Sequence, residues 1–166
     1  MGISISVETP LQDDVRRLVD QLNDYLLPLS PVEFQFKLTV EQMAEPNTTL
    51  FVARDEASRA VGMGALCVHG PEMGEVKRMW TDPEIRGKRV GSSLLNAIEA
   101  LARSRGLEVL MLETGSLETM PEAHRLYERG GFTRRGPFLD YPDSEYSVFF
   151  EKPLKAQVAA QSSRPA

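Results

Sequence analysis

The chain has 166 residues, of which 42% are hydrophobic and 26% charged, as in one ordinary globular domain and unlike a disordered, collagen-like or coiled-coil protein. Because 19 basic side chains stand against 24 acidic ones, the formal net charge is -5, and we expect no nucleic-acid partner and no membrane partner. One cysteine, two distant histidines and the absence of a long apolar run predict a cytoplasmic protein with no metal, no disulfide and no leader segment.

The N-terminal quarter of the chain predicts one strand and two helices. The alternating segment ISISV at 3–7 is typical of a half-buried strand. Thr9 and Pro10 then supply an N-cap hydroxyl and a first-turn proline, so we expect a helix to begin there. Thr39 opens a capping box, which predicts a short helix over about 39–45.

The middle of the chain predicts a meander of strands, a helix and one more strand. Apolar runs at 49–54, 60–69 and 74–81 are separated by turn residues, as in antiparallel strands. The amphipathic segment 90–106 is the best-defined helix. The nearly continuous apolar run at 107–114 predicts a central strand buried on both faces and parallel to the strand before the helix.

The last part of the chain predicts a short helix and two strands. Residues 121–131 begin with proline and end with paired glycines, which are helix start and stop signals, and the segments FTRR and YSVFFEK follow as strands. We expect one domain over 1–155 and a flexible tail over 156–166, where small and polar residues show no periodicity. His69 and His124 are expected on the surface.

The loop before the long helix has the composition of an anion site. Gly87 and Gly91 let backbone approach a ligand, while Arg86, Lys88 and Arg89 add positive charge where a helix N-terminus exposes N–H groups. A pyrophosphate is the predicted ligand group. The segment alone leaves open a plain surface loop with a helix cap, and it matches neither a P-loop nor a dinucleotide-binding glycine motif.

The run R-G-K-R-V-G at 86–91 resembles motif A of the GNAT superfamily of N-acetyltransferases. That motif consists of Gln or Arg, two residues, Gly, one residue, and Gly or Ala; Arg86 and Gly91 match its ends. Arg89 stands where the family has its middle glycine. This departure concerns the geometry of the loop and the affinity for the cofactor rather than the fold.

A second resemblance lies on the last helix. Leu126-Tyr127 followed by Gly131-Phe132 is similar to motif B of the same family, LYxxxGF. Many relatives have Asn seven residues before this tyrosine, where this chain has Met120. The similarity covers about residues 3–153 and implies an α/β (α+β) GNAT-like domain, with a mixed, largely antiparallel sheet of about seven strands and helices on both faces.

The strand at 74–81 shows a change of side-chain parity. Its apolar positions fit Val76, Met79 and Thr81 better than strict alternation, which indicates a β-bulge. GNAT proteins have such a bulge, and it opens a cleft for the pantetheine arm of coenzyme A. The resemblance therefore implies a cleft between 74–81 and 107–113.

The resemblance implies acetyl-CoA as the acyl donor. Its pyrophosphate would lie on the amides of the 86–92 loop, with the thioester near 79–81. The implied contacts are Met79, Trp80, Thr81, Arg86, Gly87, Lys88, Arg89, Val90, Gly91 and Ser92.

Two kinds of group are needed for the chemistry, an acid for the departing thiolate and a base for the amine. Tyr127 is the predicted acid, and a tyrosine that only packs is the alternative. Glu75 is the predicted base, acting directly or through water, with Glu113 as a weaker candidate. Either carboxylate could instead pair with Lys77 or Arg78.

The sequence says less about the amine that accepts the acetyl group. Aromatic residues that could shape the acceptor pocket, or simply pack in the core, are Phe34, Phe36, Trp80 and Tyr141. Lys77 and Arg78 would favour an acceptor with a carboxylate, such as an amino acid, unless they pair with Glu75 or Asp82.

These observations predict an N-acetyltransferase that moves an acetyl group from acetyl-CoA to a primary amine of a small molecule. Transfer is expected to be direct, because Cys67 lies in an apolar strand and is expected to behave as a small hydrophobe. Three alternatives stay open: a protein amine as acceptor, a non-catalytic acyl-CoA sensor or interaction module, and an unrelated phosphate-binding fold. A homodimer is the base-rate expectation.

Overall fold

The computed structural model describes residues 2–85 and 89–154. Arg86, Gly87 and Lys88 of the predicted anion loop lie outside the described residues, as does the predicted tail 156–166. Within the described ranges, no helix has the length and apolar character needed to cross a membrane.

The described residues form seven strands and four α-helices. The strands are β1 (Ser4–Val7), β2 (Thr48–Arg54), β3 (Ala60–His69), β4 (Met73–Thr81), β5 (Val109–Thr114), β6 (Thr133–Arg135) and β7 (Val148–Pro153). The α-helices are α1 (Asp13–Leu26), α2 (Val40–Met43), α3 (Val90–Ser104) and α4 (Pro121–Arg129). Short 3₁₀ turns lie at Leu27–Leu29, Val32–Phe34 and Pro83–Ile85.

All the strands join one sheet in the order β1-β2-β3-β4-β5-β7-β6. β4 and β5 pair in parallel, and the other neighbours pair antiparallel, which confirms the mixed and largely antiparallel sheet. The parallel pairing runs only from Met73 opposite Val109 to Glu75 opposite Met111. Beyond Glu75 the two strands separate, which opens a cleft where the sequence predicts one.

The bulge in β4 is present. Ala65 pairs with Lys77 and Met63 pairs with Trp80, so Arg78 and Met79 together lie opposite one residue of β3. Arg78 has a φ of 57°, in the left-handed region that a residue with a Cβ adopts at a cost. The bulge changes the parity of the strand, so that Val76 and Met79 face one side of the sheet and Arg78 and Trp80 the other.

Each face of the sheet has its own hydrophobic core. On the α3 face, α3 and α4 pack on the sheet through residues that include Leu94, Ile98 and Leu126. On the α1 face, α1 and α2 pack through Leu18, Met43 and others. The two cores confirm helices on both faces.

Two predicted boundaries differ in the structure. The first helix begins at Asp13 and not at Thr9, because the Thr9 hydroxyl accepts a hydrogen bond from Leu11 N and forms a separate turn before the helix. The predicted short helix at 39–45 is α2, and its capping box is complete.

Two predictions about burial are wrong. β5 is not buried on both faces: its residues alternate between buried and half-buried, and Glu113 at the end of the half-buried face lines a cavity. His124 is not on the surface: it is 1% exposed, because its Nε2 lies 2.8 Å from Gly115 O and its ring packs edge-on against Phe150. His69 is half-buried and lies beside Glu75.

Candidate active site

Two cavities meet where β4 and β5 separate. The larger, called here the groove, has a volume of about 670 Å³ and runs along β4 from Met79 to Thr81, the start of α3 and one side of α4. The smaller, called here the pocket, has a volume of about 260 Å³ and lies among the end of α1, residues 29–37, β4 and β5. The residues that line both are Leu22, Met79, Met120 and Tyr127.

The N-terminus of α3 supplies backbone donors to the groove. The first hydrogen bond of the helix runs from Ser93 N to Arg89 O, so the N–H groups of Val90, Gly91 and Ser92 have no partner within the helix. Gly91 has no side chain and packs close to Leu126, since a Cβ there would lie 3.4 Å from it; both residues line the groove. Such a turn binds anions through its N–H groups and its dipole.

Arg89 explains how the chain departs from motif A and keeps the helix start. It is the N-cap of α3 and has a φ of 63°, the left-handed conformation that glycine adopts without strain. The arginine therefore reproduces a glycine-like backbone at a local cost. Its side chain also lines the groove, together with Arg125 and Arg129.

The turn between β4 and α3 is fixed by a buried carboxylate. Asp82 is 2% exposed and accepts hydrogen bonds from Arg59 Nη2 and Glu84 N, each at 3.0 Å. Arg17 Nη1 lies 3.9 Å from the same carboxylate. Asp82 therefore pairs with Arg59 and Arg17, and not with Lys77 or Arg78.

Glu75 lies in the pocket wall with each oxygen engaged. It is 3% exposed; its Oε1 lies 2.9 Å from His69 Nε2, and its Oε2 accepts a hydrogen bond from the Tyr141 hydroxyl. Lys77 Nζ lies 3.5 Å from Oε2. Burial and the adjacent Glu75 carboxylate raise the pKa of Tyr141, which keeps the phenol protonated as a donor.

Glu113 lies across the cleft from Glu75 and has fewer partners. Its carboxylate accepts a hydrogen bond from Ser147 Oγ at 2.8 Å. Burial raises the pKa of Glu113 to about 7, although the Ser147 hydrogen bond and the charge of Lys77 oppose that rise. This carboxylate can therefore gain or lose a proton near neutral pH.

Tyr127 lies at the junction of the two cavities. Its ring is buried against Phe132 and Phe150, with centroid distances of 6.0 and 6.1 Å. Its hydroxyl makes no hydrogen bond with any residue that the structure describes. Burial, with a smaller contribution from Glu113, raises the pKa of Tyr127, so the phenol holds its proton.

The groove brings together most of the residues predicted for the cofactor. Those that line it are Met79, Trp80, Thr81, Arg89, Val90, Gly91 and Ser92. The indole of Trp80 points toward α1, where its Nε1 donates to Gln21 Oε1 at 3.0 Å. Three predicted contacts, Arg86, Gly87 and Lys88, lie outside the described residues.

The carboxylates of the pocket have partners that lie outside its lining. Phe34 and Phe36 line the pocket, whereas Tyr141 lies behind it and contacts Glu75 and Lys77. Ser147 contacts Glu113 and His69 contacts Glu75, and neither contact is indicated by a local sequence pattern.

Comparison with known protein families and sequences finds acetyltransferases. The family model described as an acetyltransferase (GNAT) domain matches residues 46–134. An IAA acetyltransferase of Azospirillum brasilense is 41% identical over 154 residues, which cover 92% of this chain and 99% of the relative.

Solved structures of acyltransferases have the same fold. A Klebsiella pneumoniae protein assigned as an acyl-CoA N-acyltransferase has a TM-score of 0.79 at 32% identity, covering 92% of this chain and 97% of that one. A GNAT acetyltransferase of Elizabethkingia anophelis, solved with acetyl-CoA bound, has a TM-score of 0.62 at 15% identity, covering 92% of this chain and 98% of that one, and shares the fold.

Proposed function

The chain belongs to the GNAT superfamily of N-acetyltransferases, and we propose that it transfers an acetyl group from acetyl-CoA directly to the amine of a small molecule. The observation that supports this proposal is the meeting of two unlike cavities at Met79 and Tyr127. One cavity offers backbone donors and cations, and the other offers buried carboxylates.

The groove suits coenzyme A. Val90, Gly91 and Ser92 would hold the pyrophosphate through their N–H groups, and Arg89 would add charge from the same turn. The described lining contains three arginines and a single acidic residue, Glu122, so the groove favours an anion. When bound, acetyl-CoA supplies an activated acetyl group as its thioester.

Tyr127 is the proposed acid. A protonated phenol at the junction can donate to a departing thiolate, whose pKa is about 8.5. In the balanced reaction the amine nitrogen forms a C–N bond as the C–S bond breaks. One proton passes from the amine to a carboxylate base, one passes from the Tyr127 hydroxyl to the sulfur, and a proton returned from the base, directly or through water, restores the phenol.

Glu113 and Glu75 are the candidate bases, because both line the pocket. Glu75 is engaged by Tyr141, His69 and Lys77, whereas Glu113 has one hydrogen bond, from Ser147. The pKa of Glu113 near 7 also suits a group that accepts a proton at neutral pH. These contacts favour Glu113 as the base, with Glu75 as the alternative that acts directly or through water.

Direct transfer is proposed because no thiol faces the junction among the described lining residues. Cys67 is 6% exposed, and its Sγ accepts from Asn47 Nδ2 at 3.3 Å. Its surroundings are those of a structural cysteine. A free, buried thiol also fits the proposed cytoplasmic location.

The small-molecule acceptor is supported by the size of the pocket. A volume of about 260 Å³ lies just below the usual range for ligand cavities and suits a small acceptor. The name of the Azospirillum relative, an IAA acetyltransferase, agrees with this class of acceptor. We propose a homodimer from base rates alone.

Calorimetric titration with acetyl-CoA and with coenzyme A tests the cofactor. We expect a Kd of about 100 μM or tighter, roughly 5.5 kcal/mol, for both. A screen of primary amines for thiol release then tests transfer. No binding would refute the cofactor assignment, and binding without thiol release from any amine would favour a sensor.

A further inference from the structure

The pocket contains a buried cation without an anionic partner. Arg78 is 8% exposed, and its Nε is buried with no hydrogen-bond partner. Its Nη2 donates to Asn23 Oδ1, a neutral amide oxygen. No carboxylate lies within ion-pair distance of Arg78 among the residues that the structure describes.

The adjacent cation is paired, which makes the difference specific to Arg78. Lys77 Nζ donates to the Tyr141 hydroxyl at 2.7 Å and lies 3.5 Å from Glu75. The Glu75 carboxylate is therefore occupied by Lys77, His69 and Tyr141. Lys37, the remaining cation of the lining, is half-buried and keeps access to water.

A buried guanidinium without an anionic partner lowers the free energy of unfolding. Burial lowers the pKa of Arg78 to about 10, so the side chain stays charged at neutral pH without full hydration. The residue also has a left-handed backbone in the bulge of β4. β-bulges often re-aim a side chain toward a functional site, and this bulge places the buried Arg78 in the lining of the pocket.

We propose that Arg78 binds a carboxylate of the acceptor, so that the enzyme acetylates the amine of a small amino acid or a similar amine-bearing acid. The pocket then holds complementary groups for both ends of such a molecule. Arg78 binds the carboxylate, and Glu113 or Glu75 faces the amine at the junction with Tyr127. This inference rests on the proposed function.

Paired acceptors test the inference. L-leucine, L-phenylalanine and L-alanine are compared with their own primary amides, and thiol release from acetyl-CoA gives kcat/KM for each. We expect each free acid to exceed its amide at least tenfold. Equal values, or release with the amides alone, would overturn the role of Arg78 and leave the acetyltransferase proposal intact. Absence of thiol release with every amine, these and a wider panel, would instead refute the proposed function and this inference with it.

Two variants assign the preference to the guanidinium. Arg78→Gln should reduce the acid-to-amide ratio at least tenfold through KM of the acid. Asn23→Asp retains Arg78 but places a carboxylate on it, so the same ratio should fall while the midpoint of thermal unfolding is held or raised. Asn96→Asp makes the same substitution on the exposed side of α3 and should retain the ratio. A ratio that survives Asn23→Asp would overturn the inference even if Arg78→Gln does not fold.

Discussion

The groove and the pocket are built in opposite ways. The described lining of the groove comes mainly from three short stretches of chain, 79–81, 89–92 and 120–129, and it presents backbone donors and arginines to an anion. The pocket takes Glu75, Lys77, Arg78 and Glu113 from β4 and β5, the more exposed Glu118 and Glu145 from loops, and its cover from residues 29–37. If, as we propose, the groove binds the cofactor and the pocket binds the acceptor, the cofactor site is formed by residues close together in the chain, whereas the acceptor site depends on tertiary contacts.

Tyr127 lines both cavities, and its removal should have the largest effect. Tyr127→Phe removes the proton donor and keeps the ring against Phe132 and Phe150, so kcat should fall by about 100-fold or more. The Kd for acetyl-CoA should change less than about twofold by calorimetry. Because the hydroxyl has no partner among the described residues, thermal unfolding should be nearly unchanged. Unchanged kcat would remove Tyr127 from the acid role.

Gly91→Glu should affect the groove and leave the pocket intact. The substitution puts bulk and negative charge beside the free N–H groups of α3, so acetyl-CoA affinity should fall about 30-fold, roughly 2 kcal/mol. Gly91→Ala is the control, since its Cβ meets Leu126 at an ordinary contact distance of 3.4 Å. Normal affinity in Gly91→Glu would place the pyrophosphate elsewhere.

Glu113 should give the pocket its pH dependence. If the ionised carboxylate is the base, kcat/KM should rise as pH increases through about 7 and then level off. Ser147→Ala removes a hydrogen bond that lowers this pKa, so the rise should move to higher pH. Glu113→Gln should lower activity about tenfold and flatten the profile. If Glu75→Gln flattens it instead, Glu75 is the base.

The same residue predicts a change in stability. The pKa of Glu113 is higher in the folded state, about 7, than the usual 4.5, so the folded state binds the proton more tightly and loses stability as pH rises between these values. Glu113→Gln should therefore raise the free energy of unfolding at pH 8, by about 3 kcal/mol at most, and have little effect at pH 4. Denaturant unfolding at both pH values measures this difference.

Cys67 belongs to neither cavity and should have the smallest effect. Cys67→Ala should keep kcat within about twofold, because direct transfer needs no thiol nucleophile. Mass spectrometry after incubation with acetyl-CoA alone should show no acetylated protein. A large loss of turnover together with acetylation of the wild type would establish an acyl-enzyme.

The sequence was sufficient for the fold, and it indicated the part of the groove lining that comes from β4 and the start of α3. Hydrophobic periodicity and caps located the sheet and helices, and the parity change at Val76, Met79 and Thr81 revealed the bulge. The start of α1 was misplaced, because the turn at Thr9 uses the same hydroxyl as an N-cap would. Local rules are reliable where the interactions are themselves local.

The pocket could not be predicted in the same way. Glu75 and its donor Tyr141 lie 66 residues apart, and Arg78 and Asn23 lie 55 apart. His124 shows the same limit, since a polar residue on a short helix is buried only through its contacts with Gly115 and Phe150. Contacts between residues so far apart in the chain depend on tertiary packing, which local sequence patterns do not indicate.

The cover of the pocket has an evolutionary consequence. Residues 27–39 contain no fully buried side chain and consist of two 3₁₀ turns with irregular segments between and after them. Apart from Leu38, which packs on the α1-face core, and Gln35, whose Nε2 donates to backbone carbonyls of residues 26, 27 and 30, substitutions there should cost little stability. If the pocket binds the acceptor, as we propose, exchange of this short segment, which includes Phe34 and Phe36, would change the acceptor while the sheet and the groove stay the same.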